Sequence, residues 1–267
     1  MGFVTASAPG KCILFGEHAV VYGHPAVAVA IDQRISVKIQ PSPNHLWLLD
    51  GSSLNMNRNP HIKGLIEKLW PKQYGAPELS IHIKGNIPRA SGLGSSAALS
   101  VATAAALRMA RGRWVSKTDG TQQQNWLEGF GSTIANSEPY DNSPGFFATE
   151  SQDERYHITN KTSVDNDECA ILAHGVEAAV QQGRASPMDS STCSHGGIII
   201  ISDVVEQDID YLYQRTLAMK DATRMWHIHE MSPPSDSNDV YLVIGNTGVH
   251  APTGKQVTKV SEMLQQD

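Results

Sequence analysis

"NIPRASGLGSSAALS", residues 86–100, joins a strand-like segment to a helix-forming one through two closely spaced glycines. Upstream, "ELSIHIKGNIP" alternates through Leu79, Ile81 and Ile83 as a half-buried strand does, until Gly85 and Pro88 stop it. Downstream, "SSAALSVATAAALRMARG" is rich in alanine, which has the strongest helix propensity. Gly92 and Gly94 open backbone conformations closed to residues with a Cβ. A helix starting near Ser96 directs unpaired N–H groups and the positive end of its dipole into the loop. Strand, glycine loop and helix in that order make a cradle for an anion, although the same Gly-Ser turn can cap a helix with no ligand. Neither G-x-x-x-x-G-K-[ST] nor G-x-G-x-x-G is present, which argues against the P-loop and dinucleotide-binding folds.

Toward the N-terminus, "SAPGKCILFGEHAVVYGHPAVAVAID", residues 7–32, sets Lys11, Glu17, His18 and His24 among small and apolar residues. A lysine in an apolar strand requires a paired charge or an anionic ligand, whereas a histidine there is often a hydrogen-bonded core residue. "AVAVAIDQRISVKIQ" begins as a continuous apolar run and then alternates through Ile35, Val37 and Ile39, so a buried strand passes into a half-buried one. Pro60 opens "PHIKGLIEKLW", where Ile62, Leu65, Ile66 and Leu69 recur at helical spacing.

Toward the C-terminus, a polar stretch from about 112 to 167 predicts an exposed insertion with one short helix near Trp126. "ECAILAHGVEAAVQQG" is helical, with Ile171, Leu172, Val176 and Val180 on one stripe. "GGIIIISDVV" and "DVYLVIGNTGV" read as strands, separated by a helical stretch near "DYLYQRTLAMKDATRMW". Asp189, after Pro187, reads locally as a helix cap or an Asx turn, and His227 and His229 alternate along a possible strand.

The chain's 267 residues suit one large or two modest domains, and its net charge of -6 gives no general attraction for nucleic acid or anionic membrane. Any phosphate must therefore be held by local geometry. Cys12, Cys169 and Cys193 lack the spacing of a zinc site or disulfide framework and read as reduced thiols. No basic-then-apolar leader opens the sequence and no run reaches the roughly 18 apolar residues of a membrane span, so a cytoplasmic location is expected.

Four stretches, "SAPGKCILFGEHAVVYGHPAVAVAI", "PRASGLGSSAA", "GRASPMDSST" and "LVIGNTGVHAPTGK", together closely resemble mevalonate kinases of the GHMP kinase superfamily, nearest in wording to the archaeal type. The resemblance implies an α+β GHMP kinase fold. It divides the chain into a ribosomal protein S5 domain 2-like ATP-binding domain at 1–197, carrying the polar insertion, and a truncated ferredoxin-like domain beginning at 198–267. It implies ATP-dependent phosphorylation of the C5 hydroxyl of mevalonate, giving 5-phosphomevalonate in isoprenoid biosynthesis, with ATP and Mg²⁺ as cofactors.

In the matching positions Asp189 is the catalytic carboxylate, with Lys11 beside it. Pro88, Ser91, Gly92, Leu93, Gly94, Ser95, Ser96 and Ala97 form the nucleotide loop, and Ser96 and Glu177 are the magnesium ligands. Glu17 and His18 line the mevalonate pocket, and Thr253 lies near the transferring phosphate. Three features depart from the family pattern. A late run like G-A-G-G-G-G is absent, "VQQGRAS" carries one more residue between Glu177 and Asp189, and the segments after Gly112 and between Gly197 and Leu242 lack counterparts in compact relatives. A C-terminal half supplied in trans, or a homodimer, is the partner these departures imply. Two other readings stay open: a non-catalytic homologue binding ATP or an isoprenoid metabolite, and a related kinase acting on another mevalonate derivative.

Overall fold

The computed structural model describes residues 3–17, 20, 24–70, 76–88, 91–110, 114–116, 122–124, 164–181, 183, 185–218, 223–232 and 241–245. Its frame is an antiparallel hairpin of β1 (Val4–Phe15) and β2 (Ala26–Pro41). Besides β1, strand β2 pairs with two others: β5 (Leu79–Gly85) joins residues 35–41, and β8 (Ile198–Ser202) joins residues 26–29. Short strands β3 (Leu48–Leu49) and β4 (Ser52–Ser53) lie beyond β5, while β9 (Asp210–Ala218) and β10 (Thr223–Met231) lie beyond β8. The order is β4-β3-β5-β2-β8-β10-β9, with β1 paired to β2 off that path. A separate pair, β6 (Trp114–Ser116) and β7 (Gln122–Gln124), falls within the stretch expected to be an insertion.

The β1–β2 register slips in its middle. Pro9 lies opposite Arg34 but Gly10 opposite Ile31, which leaves Asp32 and Gln33 without partners on β1. Such an irregularity increases twist and re-aims side chains. On one side of it Val4, Ala8, Ile35, Val37 and Ile39 join a core cluster with Leu79 and Ile81. On the other side Ala26 and Ala28 join a second cluster with Ile199, Ile201 and Ile228, against which Ile13 packs.

Helices cover the sheet. The predicted stripe Ile62, Leu65, Ile66 and Leu69 is the buried face of α1 (Pro60–Leu69), and Pro60 sits at the first turn, where its missing N–H costs nothing. Helix α2 (Ser95–Ala110) buries Ala97, Ala98, Ala102, Ala104 and Ala106, small side chains that let it lie close to its neighbours. Helix α3 (Asn166–Val180) is capped by Asp165, whose carboxylate accepts the Glu168 N–H at 3.1 Å. Helix α4 (Met188–His195) follows after a turn at Gly183, whose φ is +83° and whose N–H donates to Ala178 O at 2.7 Å.

Two elements differ from the sequence reading. "DYLYQRTLAMKDATRMW" contributes to the antiparallel strands β9 and β10, with Tyr213 and Arg215 buried on one face at a period of two. Leu, Ala, Met and Lys favour a helix locally, but pairing of β10 with β8 decides the outcome. Tyr241–Gly245, expected in a strand, carry no regular structure, and the helix expected near Trp126 lies outside the described residues. Strands β8–β10, in the range assigned to the start of a second domain, are hydrogen-bonded into the sheet that holds β2. No helix among the described residues is long and apolar enough to cross a membrane.

Candidate active site

Lys11 follows the register slip in β1 and is buried, 3% exposed. Its backbone N–H donates to Leu93 O at 3.0 Å, which fastens the glycine loop across β1. Gly94, at φ +72°, makes this approach possible: a Cβ there would lie 2.8 Å from Lys11 Cγ and 3.5 Å from Cys193 Sγ. Gly94 O then accepts the Ala98 N–H at 2.8 Å, opening α2. The amides of Ser95, Ser96 and Ala97 occupy the first turn, where a helix supplies no partners of its own. Gly92, at φ +76°, is exposed, and nothing lies within 4 Å of where its Cβ would be. Leu93 and Ala97 are buried as anchors, and the Ser91 hydroxyl donates to Pro88 O at 2.7 Å.

Two carboxylates converge on this loop from consecutive helices. Asp189, in the first turn of α4, pairs with Lys11 at 3.1 Å between Nζ and Oδ1, its side chain 31% exposed against 4% for the lysine. Burial pulls the ammonium's pKa down, but the charge and hydrogen bond of Asp189 and the charge of Glu17 leave it above its ordinary value. Glu177, near the end of α3, is buried and accepts the Ser96 hydroxyl at 3.0 Å on Oε1. Burial and then the charge of Asp189 push Glu177 up to about 8, against the opposing pull of Ser96 and Lys11. An acid that holds its proton at neutral pH beside a hydroxyl and a second carboxylate is a set of hard oxygen donors short of a positive charge, and a divalent cation fits it.

The GHMP kinases N-terminal domain model matches residues 60–136. The chain is also 33% identical over 200 residues to the mevalonate kinase of Methanothermobacter thermautotrophicus, covering 74% of this chain and 50% of that protein. Residues 60–136 of this chain belong to the GHMP kinases N-terminal domain family. The mevalonate kinase of Archaeoglobus fulgidus is 47% identical over 104 residues, 38% of this chain and 36% of the relative. In fold the chain is similar to L. major mevalonate kinase, a structure in complex with R-mevalonate, at a TM-score of 0.55 and 21% identity over 98% of this chain and 62% of that one. The chain spans about half the length, or less, of these two curated relatives.

The residues marked from the sequence fall unevenly. Lys11, Asp189, Glu177, Ser96 and the loop from Ser91 to Ala97 come together, and Glu17 is close enough for its charge to act on Lys11. Gly16 turns the chain there at φ +81°, and a Cβ on it would lie 2.5 Å from Pro25 O. His18 and Thr253 lie outside the described residues. His227 and His229 sit on β10 beside Tyr211, with ring centroids 5.9 and 5.5 Å away. Cys193, read from the sequence only as a reduced thiol, is packed against this site, its Sγ 3.9 Å from Gly94 O. Burial, then Asp189 and Glu177, push its thiol well up, so it serves as packing rather than as a nucleophile.

Proposed function

We propose that this chain transfers the γ-phosphoryl group of ATP to the C5 hydroxyl of mevalonate, in the cytoplasm. The observation that carries the reading is the Lys11–Asp189 pair at 3.1 Å beside the glycine loop, with Ser96 and Glu177 joined at 3.0 Å across the same loop. The loop amides and the start of α2 receive the phosphates. Ser96 and Glu177 would hold Mg²⁺, which when bound neutralises phosphate charge. Glu17, with His18, is assigned to the hydroxyl and carboxylate end of the acceptor.

In the transfer the bond from the γ-phosphorus to the bridging oxygen of ADP breaks and the bond from the C5 oxygen to phosphorus forms. The hydroxyl proton passes to Asp189. That proton transfer comes late, after a loose transition state has made the hydroxyl acidic. Lys11 pairs with Asp189 and steadies the developing alkoxide.

Asp189→Asn tests this. Mg-ATP and mevalonate binding should stay within a few-fold while turnover falls by about 10² or more. ADP release should require mevalonate, with galactose and homoserine inert. A protein that binds both ligands and never releases ADP is a sensor. One that turns over only a phosphorylated mevalonate is a different kinase of the superfamily.

A further inference from the structure

Buried side chains of strands β9 and β10 reach three segments that bear site residues. Arg215 Nε–H donates to His174 Nδ1 at 2.9 Å, and both residues are buried. With Nδ1 accepting, the His174 proton resides on Nε2, which donates to Ala185 O at 3.0 Å. His174 stands three residues before Glu177 on α3, and Ala185 stands two before Pro187, the residue that opens α4 and precedes Asp189 by two. One imidazole therefore ties the helix of one candidate carboxylate to the turn that delivers the other.

Tyr213, two residues before Arg215 and on the same face of β9, repeats the arrangement. Its hydroxyl is 2.8 Å from Ser191 Oγ, and because Ser191 donates to Pro187 O, the tyrosine is the donor. A third anchor comes from β10: Trp226 Nε1–H donates to Val20 O at 3.1 Å, and Val20 N–H donates to Gly16 O at 3.1 Å in the turn that carries Glu17. The Trp226 ring also meets His174 edge-on, with centroids 6.0 Å apart and planes at 87°. Hydrogen bonds of this kind, shielded from water, hold geometry firmly because breaking one strands a buried polar group.

We propose that the β9–β10 hairpin is the back plate of the active site, with Arg215, through His174, and Tyr213 as positioning residues that fix the separation of Glu177 and Asp189. The inference rests on the reading of those two carboxylates as site residues. It adds a role for residues that touch neither nucleotide nor acceptor.

The test uses the chain as it stands, with Arg215→Met, Arg215→Lys and Tyr213→Phe. Imidazole ¹⁵N shifts should show His174 in the Nε2–H tautomer in the parent, a mixture in Arg215→Met, and the parental form again in Arg215→Lys, whose ammonium can still donate. Amide exchange over residues 185–191 should speed up about tenfold or more in Arg215→Met while residues 79–85 stay unchanged. Phosphoryl transfer should lose about tenfold or more in kcat with the KM for ATP within threefold, and Arg215→Lys should recover most of it. A folded Arg215→Met with parental exchange over 185–191 and a parental His174 spectrum overturns the proposal. If Arg215→Met does not fold, Tyr213→Phe decides: faster exchange at 187–191 supports the back plate, and no change overturns it. A parent chain that transfers no phosphate sinks the kinase reading, while the exchange and imidazole results still decide this one.

Discussion

Glu177 is a carboxyl group whose protonation depends on what occupies the loop. Its pKa is lifted from 4.5 to about 8 in the folded chain, so the ligand-free protein gains from it fully below pH 4.5 and loses that gain as pH rises through 8. A divalent cation held with nucleotide by Ser96 and Glu177 must expel the proton. Mg-ATP binding at pH 7 should therefore release up to about one proton, seen as a dependence of the calorimetric enthalpy on buffer ionisation heat. Glu177→Gln should abolish that dependence; its persistence in the variant would remove Glu177 from the cation site. Gly94 makes a steric prediction: Gly94→Ala forces a left-handed φ of +72° on a residue with a Cβ and sets that atom 2.8 Å from Lys11 Cγ, so a loss of about 2–4 kcal/mol in thermal or chemical unfolding is expected. Lys11 was legible in the sequence because a lysine among apolar residues demands a partner. Cys193 was not, since nothing in a lone cysteine says which loop lies against it.

Among elements, α3 depends on a histidine that must stay neutral. Burial, and then the Arg215 guanidinium, push His174 down from 6.5 to about 4. Its stabilising contribution is intact above pH 6.5 and is lost as pH falls from there toward 4, because the unfolded chain takes up the proton first. Acid unfolding should accordingly cost about 3 kcal/mol over that window, and His174→Gln should flatten it. A parental pH dependence in the folded variant would place the acid sensitivity elsewhere. The elements with a clear hydrophobic period, α1, β5 and α3, were legible, and so was α2 from its alanine content. Helix α4 was not, because "MDSSTCSH" has no apolar stripe and Ser and Thr favour caps and turns. Once it is helical, the buried hydroxyls of Ser190, Ser191 and Thr192 are satisfied by carbonyls three or four residues back. The β9–β10 hairpin was misread for a related reason: local propensity pointed one way and a long-range partner strand the other.

For the molecule as a whole, β2 contributes to both core clusters, giving Ile35, Val37 and Ile39 to one and Ala26 and Ala28 to the other, and α3 and α4 also reach both. Damage to either cluster should spread along these elements. Leu79→Ala in the first and Ile199→Ala in the second should each cost about 2–5 kcal/mol and lower one common unfolding transition. Two separated transitions, each sensitive to only one of the substitutions, would show that the clusters melt independently.

The slip between Pro9 and Gly10 turns chain length at that point into a spatial reading frame. Strand side chains alternate between faces, so the count of residues from Ala8 to Lys11 decides where the lysine's side chain emerges. Exchanging side chains there is a graded perturbation, whereas removing one residue is a change of phase. Deleting Pro9 should leave the sheet recognisable by circular dichroism and turn the ammonium away from Asp189, in the way a dropped stitch keeps the cloth and loses the pattern.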